Sequence, residues 1–230
     1  MKLIKESVEN LFSLAAKPII TLAKAKPECV LALSASAQLE GVYRALERGD
    51  ADFSRCKVFL TEECVGSSAQ NSRLAKLGAM LPESAGFDAH SICAIASDGD
   101  SDAGCTEYHD KLDAAGGIDL AVLAIGSDGH IAFDEPLAAF DSQTHATRLI
   151  DSTKLEEFTD PGEAPAQGVT IGIYELMHAR RVVLVATGEE RAEAVRKVVY
   201  DQPHISVPAS LMQLHENVEL YVDDAAAKLL

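Results

Sequence analysis

Short, continuous apolar runs that alternate with helix-like segments constrain the fold of this chain more than any other feature. Runs without polar alternation are typical of strands that are covered on both faces. The runs lie at residues 29–34, 56–60, 91–96, 119–126, 181–188 and 218–222, and the helix-like segments at 7–26, 38–49, 69–80, 104–115 and 189–199. Pro18 lies inside the first of these segments, at a point where the helix could break or continue. The alternation predicts an α/β fold, a doubly wound and mostly parallel sheet with helices on both faces.

The size and composition of the chain indicate one domain without membrane contact. With a length of 230 residues, we expect residues 1–230 to form a single α/β domain. No apolar run approaches the roughly 18 to 20 residues that span a bilayer, and the N-terminal segment lacks a signal-peptide core, so we expect a cytoplasmic protein. The net charge of −16 argues against a nucleic-acid partner, because binding a polyphosphate requires clustered Lys and Arg. The five cysteines lack C-x-x-C spacing, which indicates reduced, structural thiols and no zinc site.

Four polar loops follow the apolar runs, and a doubly wound fold would place all of them at one edge of the sheet. In such folds the ligand binds at the carboxyl ends of the strands. The loops cover residues 34–38, 61–66, 126–136 and 187–191. We therefore expect the functional residues in these loops.

The loop "GSDGHIAFDEP" at residues 126–136 carries more ionisable groups than a turn requires. Glycine and aspartate explain a tight turn, but they do not explain His130 surrounded by Asp128, Asp134 and Glu135. Neighbouring carboxylates fix the tautomer of a histidine and raise its pKa, which suits proton transfer near neutral pH. Taken alone, the D-G-H tripeptide favours an incidental histidine in an exposed turn, and the surrounding sequence is what reverses this interpretation.

Five segments resemble the glucosamine-6-phosphate deaminases of the isomerase type, which share a fold with the 6-phosphogluconolactonases. One of them is "ISVPASLMQLH" at residues 205–215, which is similar to an S-x-L-Q-L-H run. The loop at 126–136 resembles the string G-x-D-G-H-I-A-F-N-E-P, with Asp134 in the place of the Asn. The segment "TEECVG" is similar to a stretch ending in D-E-Y-V-G, with Glu62 in the place of a catalytic Asp. "HATRLI" resembles a segment with a phosphate-binding arginine, here Arg148, and "TGEERAEAV" resembles a G-x-x-K stretch, with Arg191 for the lysine. The resemblance runs from about Cys29 to the end of the chain.

The resemblance implies an acid–base enzyme that acts on a small-molecule sugar phosphate. His130, supported by Asp128 and Glu135, would open the sugar ring, and Glu62 would move a proton between C2 and C1. The reaction implied is aldose–ketose isomerisation with deamination of an amino-hexose 6-phosphate. It requires no metal and no organic cofactor when hydrogen bonds polarise the carbonyl.

Ser34, Ser36, Arg148 and Arg191 are the substrate- and phosphate-binding residues that the resemblance implies. The first of the four loops departs from the family, which has T-G-[ST]-T-P where this chain has Ser-Ala-Ser-Ala-Gln. A glycine lets backbone N–H groups approach a phosphate closely, and this loop lacks it. Residues 141–167 are the least core-like part of the chain, with polar residues, Pro and Gly after a short apolar run, which predicts a lid over the site or a plain connection.

Alternative interpretations stay open at this point. A 6-phosphogluconolactonase-like hydrolase is one alternative, although that family continues the D-G-H string with T-A-S-L-F-P. A non-catalytic sugar-phosphate sensor is another, favoured by the altered first loop. Glu62 and Glu63 would otherwise be a solvated acidic pair, and Arg191 would pair with Glu189 or Glu190 at the start of a helix. The sequence leaves the oligomeric state open, with a homo-oligomer as one alternative.

Overall fold

The computed structural model describes residues 1–66, 71–97 and 101–230. The strands are β1 (Lys2–Lys5), β2 (Val30–Leu33), β3 (Lys57–Leu60), β4 (Glu62–Cys64), β5 (Leu120–Ala124), β6 (His145–Arg148), β7 (Gln167–Thr170), β8 (Val182–Ala186) and β9 (Val218–Val222). The α-helices are α1 (Val8–Ala25), α2 (Glu40–Leu46), α3 (Arg73–Met80), α4 (Ser101–Ala114), α5 (Asp151–Glu157), α6 (Ile173–His178) and α7 (Ala192–Tyr200). In these described ranges no helix combines the length and the apolar character that crossing a membrane requires.

Six strands form one parallel sheet in the order β1-β9-β8-β5-β2-β3. The chain runs from β2 outward to β3, and it then returns to the other side of β2 to form β5. The direction of winding therefore reverses between β2 and β5. The carboxyl ends of these two strands open the crevice in which doubly wound proteins bind their ligands.

Helices cover both faces of the parallel sheet, because successive residues of its strands point to opposite sides. Leu31 and Leu33 of β2 pack into one core with apolar residues of α1, α2 and α3. Val30 and Ala32 of the same strand pack into a second core with residues of α4, α6 and α7. The predicted doubly wound sheet with helices on both faces is confirmed.

One local prediction was wrong, one open question is settled, and one prediction falls partly outside the described residues. The strand predicted at 91–96 is reduced to a single parallel bridge between Cys93 and Phe59. Pro18 does not break α1, which continues through it, because the helix buries an apolar face on either side of the proline and this packing outweighs the missing N–H. The helix predicted at 69–80 begins at Arg73, and residues 69–70 lie outside the described part of the chain.

A second, antiparallel sheet of order β4-β7-β6 lies beside the main one and was not predicted. Only Thr61 separates β3 from β4, so the chain passes directly from the parallel sheet into the small one. The N–H of Thr61 donates to the carbonyl of Leu33 in β2. The carbonyl of Thr61 accepts a hydrogen bond from the N–H of Ile171, which follows β7. The small sheet therefore positions Glu62 beside the crevice. The 141–167 segment contains β6 and α5, and its role as a lid stays a prediction.

Candidate active site

The loop after β5 folds back so that the ring of His130 lies over Gly126 at the end of the strand. The N–H of Gly126 donates to the carbonyl of His130, and the N–H of Gly129 donates to the carbonyl of Gly126, both at 3.0 Å. A Cβ atom at position 126 would lie 2.1 Å from Cε1 of His130, so only glycine leaves room for the ring. Gly129 has a φ of 89°, which side-chain-bearing residues rarely adopt. These glycines let a buried imidazole stand at the carboxyl end of β5.

Asp128 holds this imidazole in one orientation. Nδ1 of His130 lies 2.8 Å from Oδ1 of Asp128, and Oγ of Ser152 in α5 donates to Oδ2 at 2.5 Å. Burial alone would raise the pKa of Asp128, but the hydrogen bond and charge of His130, together with Ser152, lower it to about 2. Burial likewise disfavours the charged form of His130, but the hydrogen bond and charge of Asp128 outweigh it and raise the pKa of the ring. The pair leaves Nε2 as the ring nitrogen that can exchange a proton with a ligand.

Glu135 completes an acid–base cluster with Asp128 and His130. Oγ1 of Thr153 donates to its Oε2 at 2.8 Å, and the N–H of Ile150 donates to its Oε1 at 3.1 Å. Burial raises the pKa of Glu135, and these hydrogen bonds and the charge of His130 offset only part of the effect. One ligand atom from each member of the cluster lies within 4.8 Å of the others, which is also a spacing that a divalent cation can use.

Glu62 lies in the same crevice, at the start of β4, and is only 1% exposed. Its Oε1 accepts hydrogen bonds from Oγ of Ser34 at 3.0 Å and from the N–H of Ala35 at 2.8 Å, both in the loop after β2. Its Oε2 accepts a hydrogen bond from the hydroxyl of Thr61. The carboxylate is therefore fixed at the junction between the two sheets, and the alternative of a solvated acidic pair is wrong.

Glu63 has a structural role at the start of α3. Its carboxylate accepts the N–H groups of Arg73 and Leu74 at 2.8 and 2.9 Å. These are two of the backbone donors that a helix leaves unpaired at its N terminus. Glu62 and Glu63 are thus neighbours in sequence that serve different purposes, one facing the crevice and the other capping a helix.

The structure also places in the crevice two residues that sequence reasoning missed. The guanidinium of Arg73 is 2% exposed and lies between Oε1 of Glu62, at 3.3 Å, and Oε2 of Glu157 in α5, at 2.7 Å. Burial would raise the pKa of Glu157, but the charges of Arg73 and Lys76 and the hydrogen bonds from Arg73 and Ser36 lower it to about 2. An arginine in the first turn of a helix opposes the helix dipole, and this signal could have identified Arg73.

The two arginines that the resemblance assigned to phosphate binding lie in different surroundings. Arg191 directly precedes α7 in the loop region after β8, and its guanidinium is 3.0 Å from Oε2 of Glu156 and also pairs with Glu190. Arg148 is exposed on β6 and, among the residues that the structure describes, forms no ion pair. Arg191 is thus joined to the crevice through α5, whereas Arg148 stands apart from it.

Asp134, which replaces the Asn of the family string, is buried without a hydrogen-bond partner. Its side chain is 0% exposed, and neither carboxylate oxygen has a hydrogen bond among the described residues. Burial and the charges of Glu175 and Glu135 hold the pKa of Asp134 well above its ordinary value of 3.8. The protonated acid is close in shape and charge to the amide that the family string has there.

Most of the site residues expected from the sequence meet in one crevice at the switch between β2 and β5. They are Ser34, Ser36, Glu62, Asp128, His130 and Glu135, with Arg191 joined through Glu156 and with Arg148 outside. Helix α5 covers the crevice, since Ser152, Thr153, Glu156 and Glu157 all bind its polar groups. The arrangement can move protons between neighbouring atoms of a bound polar molecule.

Known proteins resemble this chain over nearly its whole length. The family model for glucosamine-6-phosphate isomerases/6-phosphogluconolactonase matches residues 4–221. A glucosamine-6-phosphate deaminase of Clostridium tetani is 34% identical over 240 residues, which cover 99% of this chain and 99% of the relative. A glucosamine-6-phosphate deaminase of Oceanobacillus iheyensis is 34% identical over 239 residues, which cover 98% and 95%.

Solved structures share the whole fold. A monomeric glucosamine-6-phosphate deaminase superposes with a TM-score of 0.95 at 29% identity, covering 100% of both chains. A 6-phosphogluconolactonase from Thermotoga maritima superposes with a TM-score of 0.77 at 18% identity, covering 96% of this chain and 99% of its own, which shows a common fold alone. The fold and the acid–base cluster at its switch point define a doubly wound α/β enzyme. The chain belongs to the glucosamine-6-phosphate isomerase/6-phosphogluconolactonase family.

Proposed function

We propose that this enzyme couples aldose–ketose isomerisation to deamination of an amino-hexose 6-phosphate, with glucosamine 6-phosphate as the first substrate to assay. The observation that carries the proposal is the acid–base cluster of Asp128, His130 and Glu135, which shares one crevice with the carboxylate of Glu62. Relatives named glucosamine-6-phosphate deaminase support the substrate.

The first step is ring opening. Nε2 of His130 transfers a proton to the ring oxygen O5, and the O1 hydroxyl gives up its proton as the C1–O5 bond breaks to leave an aldehyde. Asp128 stabilises the imidazolium form through the 2.8 Å contact at Nδ1. Glu135, held by Thr153 in the same cluster, is the second proton carrier.

The second step moves a proton along the sugar chain. Glu62 takes the C2 proton and returns it to C1, while O1 gains a proton and the amine nitrogen loses one, which converts the aldehyde and amine into an alcohol at C1 and an imine at C2. Water then adds to C2 and the C2–N bond breaks, so that an amino-hexose and water give a ketohexose and ammonia. The atoms and electrons balance without an external oxidant or reductant.

Ser34, Ser36 and Arg191 are proposed to face the C6 end of the sugar. Ser34 and Ser36 flank Glu62 in the loop after β2, and Arg191 follows β8, two strands away in the same sheet. Arg148 would reach the ligand only through movement of residues 141–167, and its role stays a prediction. The absence of a metal is also a prediction, and unchanged activity after prolonged treatment with EDTA is the expected result.

An assay of ammonia and ketose tests the proposal directly. We expect glucosamine 6-phosphate to give fructose 6-phosphate and ammonia in equal amounts. A parallel incubation with 6-phosphogluconolactone should show no loss of lactone above the spontaneous rate. Lactone hydrolysis without ammonia release would show that the protein is a 6-phosphogluconolactonase-like hydrolase. Binding without any turnover would show that it is a non-catalytic sugar-phosphate sensor.

The setting proposed for this reaction is the cytoplasm, where the sugar phosphate is the small-molecule partner. Relatives named glucosamine-6-phosphate deaminase support the sugar phosphate as the partner, and the cytoplasm stays an expectation from the sequence. The neighbouring solved structure is described as monomeric, so a monomer is the form to expect first in sedimentation experiments.

A further inference from the structure

The two oxygens of the Glu62 carboxylate have different surroundings. Oε1 accepts hydrogen bonds from Oγ of Ser34 at 3.0 Å and from the N–H of Ala35 at 2.8 Å, and the guanidinium of Arg73 lies 3.3 Å from it. In the described ranges, Oε2 receives a single hydrogen bond, from the hydroxyl of Thr61. A carboxylate oxygen has two lone pairs, so Oε1 is fully used as an anchor, whereas Oε2 keeps a lone pair that can accept a proton.

Arg73 connects Glu62 to two other elements that enclose the crevice. Its guanidinium lies 2.7 Å from Oε2 of Glu157 and also donates to the main-chain carbonyl of Glu157, at the end of α5, at 3.4 Å. The same group lies 5.5 Å from the centre of the Phe133 ring, an arrangement in which a cation is attracted to an aromatic face. Phe133 belongs to the loop that carries His130. One buried side chain thus contacts the start of β4, the end of α5 and the loop after β5.

The charges around this guanidinium are balanced. Lys76, in the next turn of α3, lies 3.8 Å from Oε2 of Glu157. The carboxylates of Glu62 and Glu157 and the cations of Arg73 and Lys76 therefore sum to zero. A carboxylate that is the sole partner of a buried cation is held in its ionised form, which opposes proton uptake. Because Glu157 shares the charge of Arg73, Glu62 is held in place and is still able to take a proton.

Stability alone does not explain why this cation is buried. A guanidinium inside a protein is costly, and replacing buried ion pairs by apolar residues often raises stability. Arg73 is 2% exposed, and its Nε has no hydrogen-bond partner in the part of the chain that the structure describes. A role in orienting a functional carboxylate accounts for this arrangement.

We infer that Arg73 is a positioning residue for Glu62, which together with Glu157 anchors Oε1 so that Oε2 takes the C2 proton, and which makes this proton transfer depend on α5 lying over the crevice. Placement matters because an error of about 1 Å can lower a rate by about 10²-fold. The inference rests on the proposed deaminase chemistry and adds to it a residue that acts through Glu62 without contacting the sugar.

Exchange of the C2 hydrogen of glucosamine 6-phosphate in D₂O, at saturating sugar, measures the step in question. Arg73→Gln should lower the exchange rate by about 10²-fold. Arg73→Lys should lower it less, because an ammonium keeps the charge but lacks the planar fork of the guanidinium. Glu157→Gln should lower it by about tenfold, the factor expected for one charge-assisted contact. Arg55→Gln removes an exposed arginine that pairs with Glu28, and this matched control should exchange at the wild-type rate.

Calorimetric titration with glucosamine 6-phosphate separates positioning from binding. We expect the Arg73 variants and Glu157→Gln to bind the sugar no more than about threefold more weakly than the wild type, since a positioning residue changes the rate and not the affinity. A folded Arg73 variant that exchanges at the wild-type rate when saturated, or that no longer binds the sugar, would overturn the inference and leave the deaminase proposal intact. If Arg73→Gln does not fold, Arg73→Lys and Glu157→Gln give the same comparison.

A wild type that shows neither C2 exchange nor ammonia release would sink the proposed function, and crystal structures would then decide the inference. In the Arg73→Lys protein, we expect Oε1 of Glu62 to lie beyond hydrogen-bond distance of the N–H of Ala35. A Glu62 carboxylate in the same position in this variant and in the wild type would overturn the inference.

Discussion

The two ends of the crevice differ in how closely they follow the deaminase pattern. The end that carries Asp128, His130 and Glu135 has the complete D-G-H-I-A-F-x-E-P string, and its groups are hydrogen-bonded as acid–base chemistry requires. The end that carries Ser34, Ser36 and Arg191 departs from the pattern in sequence, and α5 brings glutamates to it. Groups that move protons and groups that select the substrate lie on separate loops, so one set can change while the other is kept.

Removing the carboxylate of Glu62 is the largest change that we predict at the chemical end. Glu62→Gln should lower exchange of the C2 hydrogen with deuterated water by about 10² to 10⁴-fold, because the amide keeps the shape of the side chain but cannot accept a proton. Proton NMR of the sugar in D₂O measures this exchange, and calorimetry checks that binding persists. Glu62→Asp keeps a carboxylate on the same backbone and should retain measurable exchange. Equal exchange by Glu62→Gln and the wild type would remove Glu62 from the mechanism.

Substitution of His130 separates ring opening from proton transfer along the chain. His130→Gln should slow turnover of the cyclic amino-hexose phosphate by about 10²-fold, because general acid catalysis at O5 is lost. A 4,5-dideoxy analogue, which cannot close a ring, should lose much less. Steady-state kinetics with both compounds give the two factors. The same loss for both compounds would show that His130 acts after ring opening.

Asp134 lies in the same loop as His130 and Glu135, and it makes the free energy of unfolding depend on pH because this buried acid is held neutral. Its pKa lies above its ordinary value of 3.8, so the folded protein keeps a proton that the unfolded chain releases, and the free energy of unfolding falls as the pH rises above that value. Asp134→Asn removes this dependence and should raise the free energy of unfolding at pH 7 by about 1 to 3 kcal/mol.

Urea denaturation of the Asp134→Asn variant between pH 5 and pH 8 checks the sign of the effect. The gain over the wild type should grow as the pH rises. Asp141→Asn, at an exposed position nearby, is the control and should follow the wild type at every pH. A gain that is constant with pH would mean that Asp134 is already ionised in the folded protein over this pH range, as it is in the unfolded chain.

Movement of residues 141–167 is the smallest effect that we predict. Amide hydrogen exchange in this segment should slow when glucosamine 6-phosphate binds. Helix α5 forms one side of the crevice, so a bound sugar would add contacts that stabilise it. Exchange in β5, at the centre of the sheet, serves as the internal reference. Unchanged exchange throughout 141–167 would make the segment a fixed wall instead of a lid.

Sequence reasoning succeeded where the decisive pattern was local. The continuous apolar runs at 29–34 and 119–126 predicted β2 and β5, and the rule for doubly wound sheets then placed Glu62 and His130 at one edge. The string around His130 identified the acid–base cluster because its members lie within a few residues of one another.

The features that sequence reasoning missed depend on contacts between distant residues. Arg73 and Glu157 are 84 residues apart, and the sequence around either residue does not identify the other as its ion-pair partner. The strands β4, β6 and β7 are three or four residues long, too short for a periodic signal, and exist because they pair with one another. The sequence alone therefore did not reveal the glutamates near Ser36 and Arg191, because their position depends on α5 lying over the crevice.

A crystal structure of the Glu62→Gln protein with glucosamine 6-phosphate tests the central claim most directly. We predict that the amide replacing the Glu62 carboxylate lies about 3 to 3.5 Å from C1 and C2, which is the separation of groups poised to react. Nε2 of His130 should lie within hydrogen-bond distance of O5, with the C6 end directed toward Ser36 and α5. A sugar bound with C2 remote from position 62, or with O5 turned away from His130, would contradict the account.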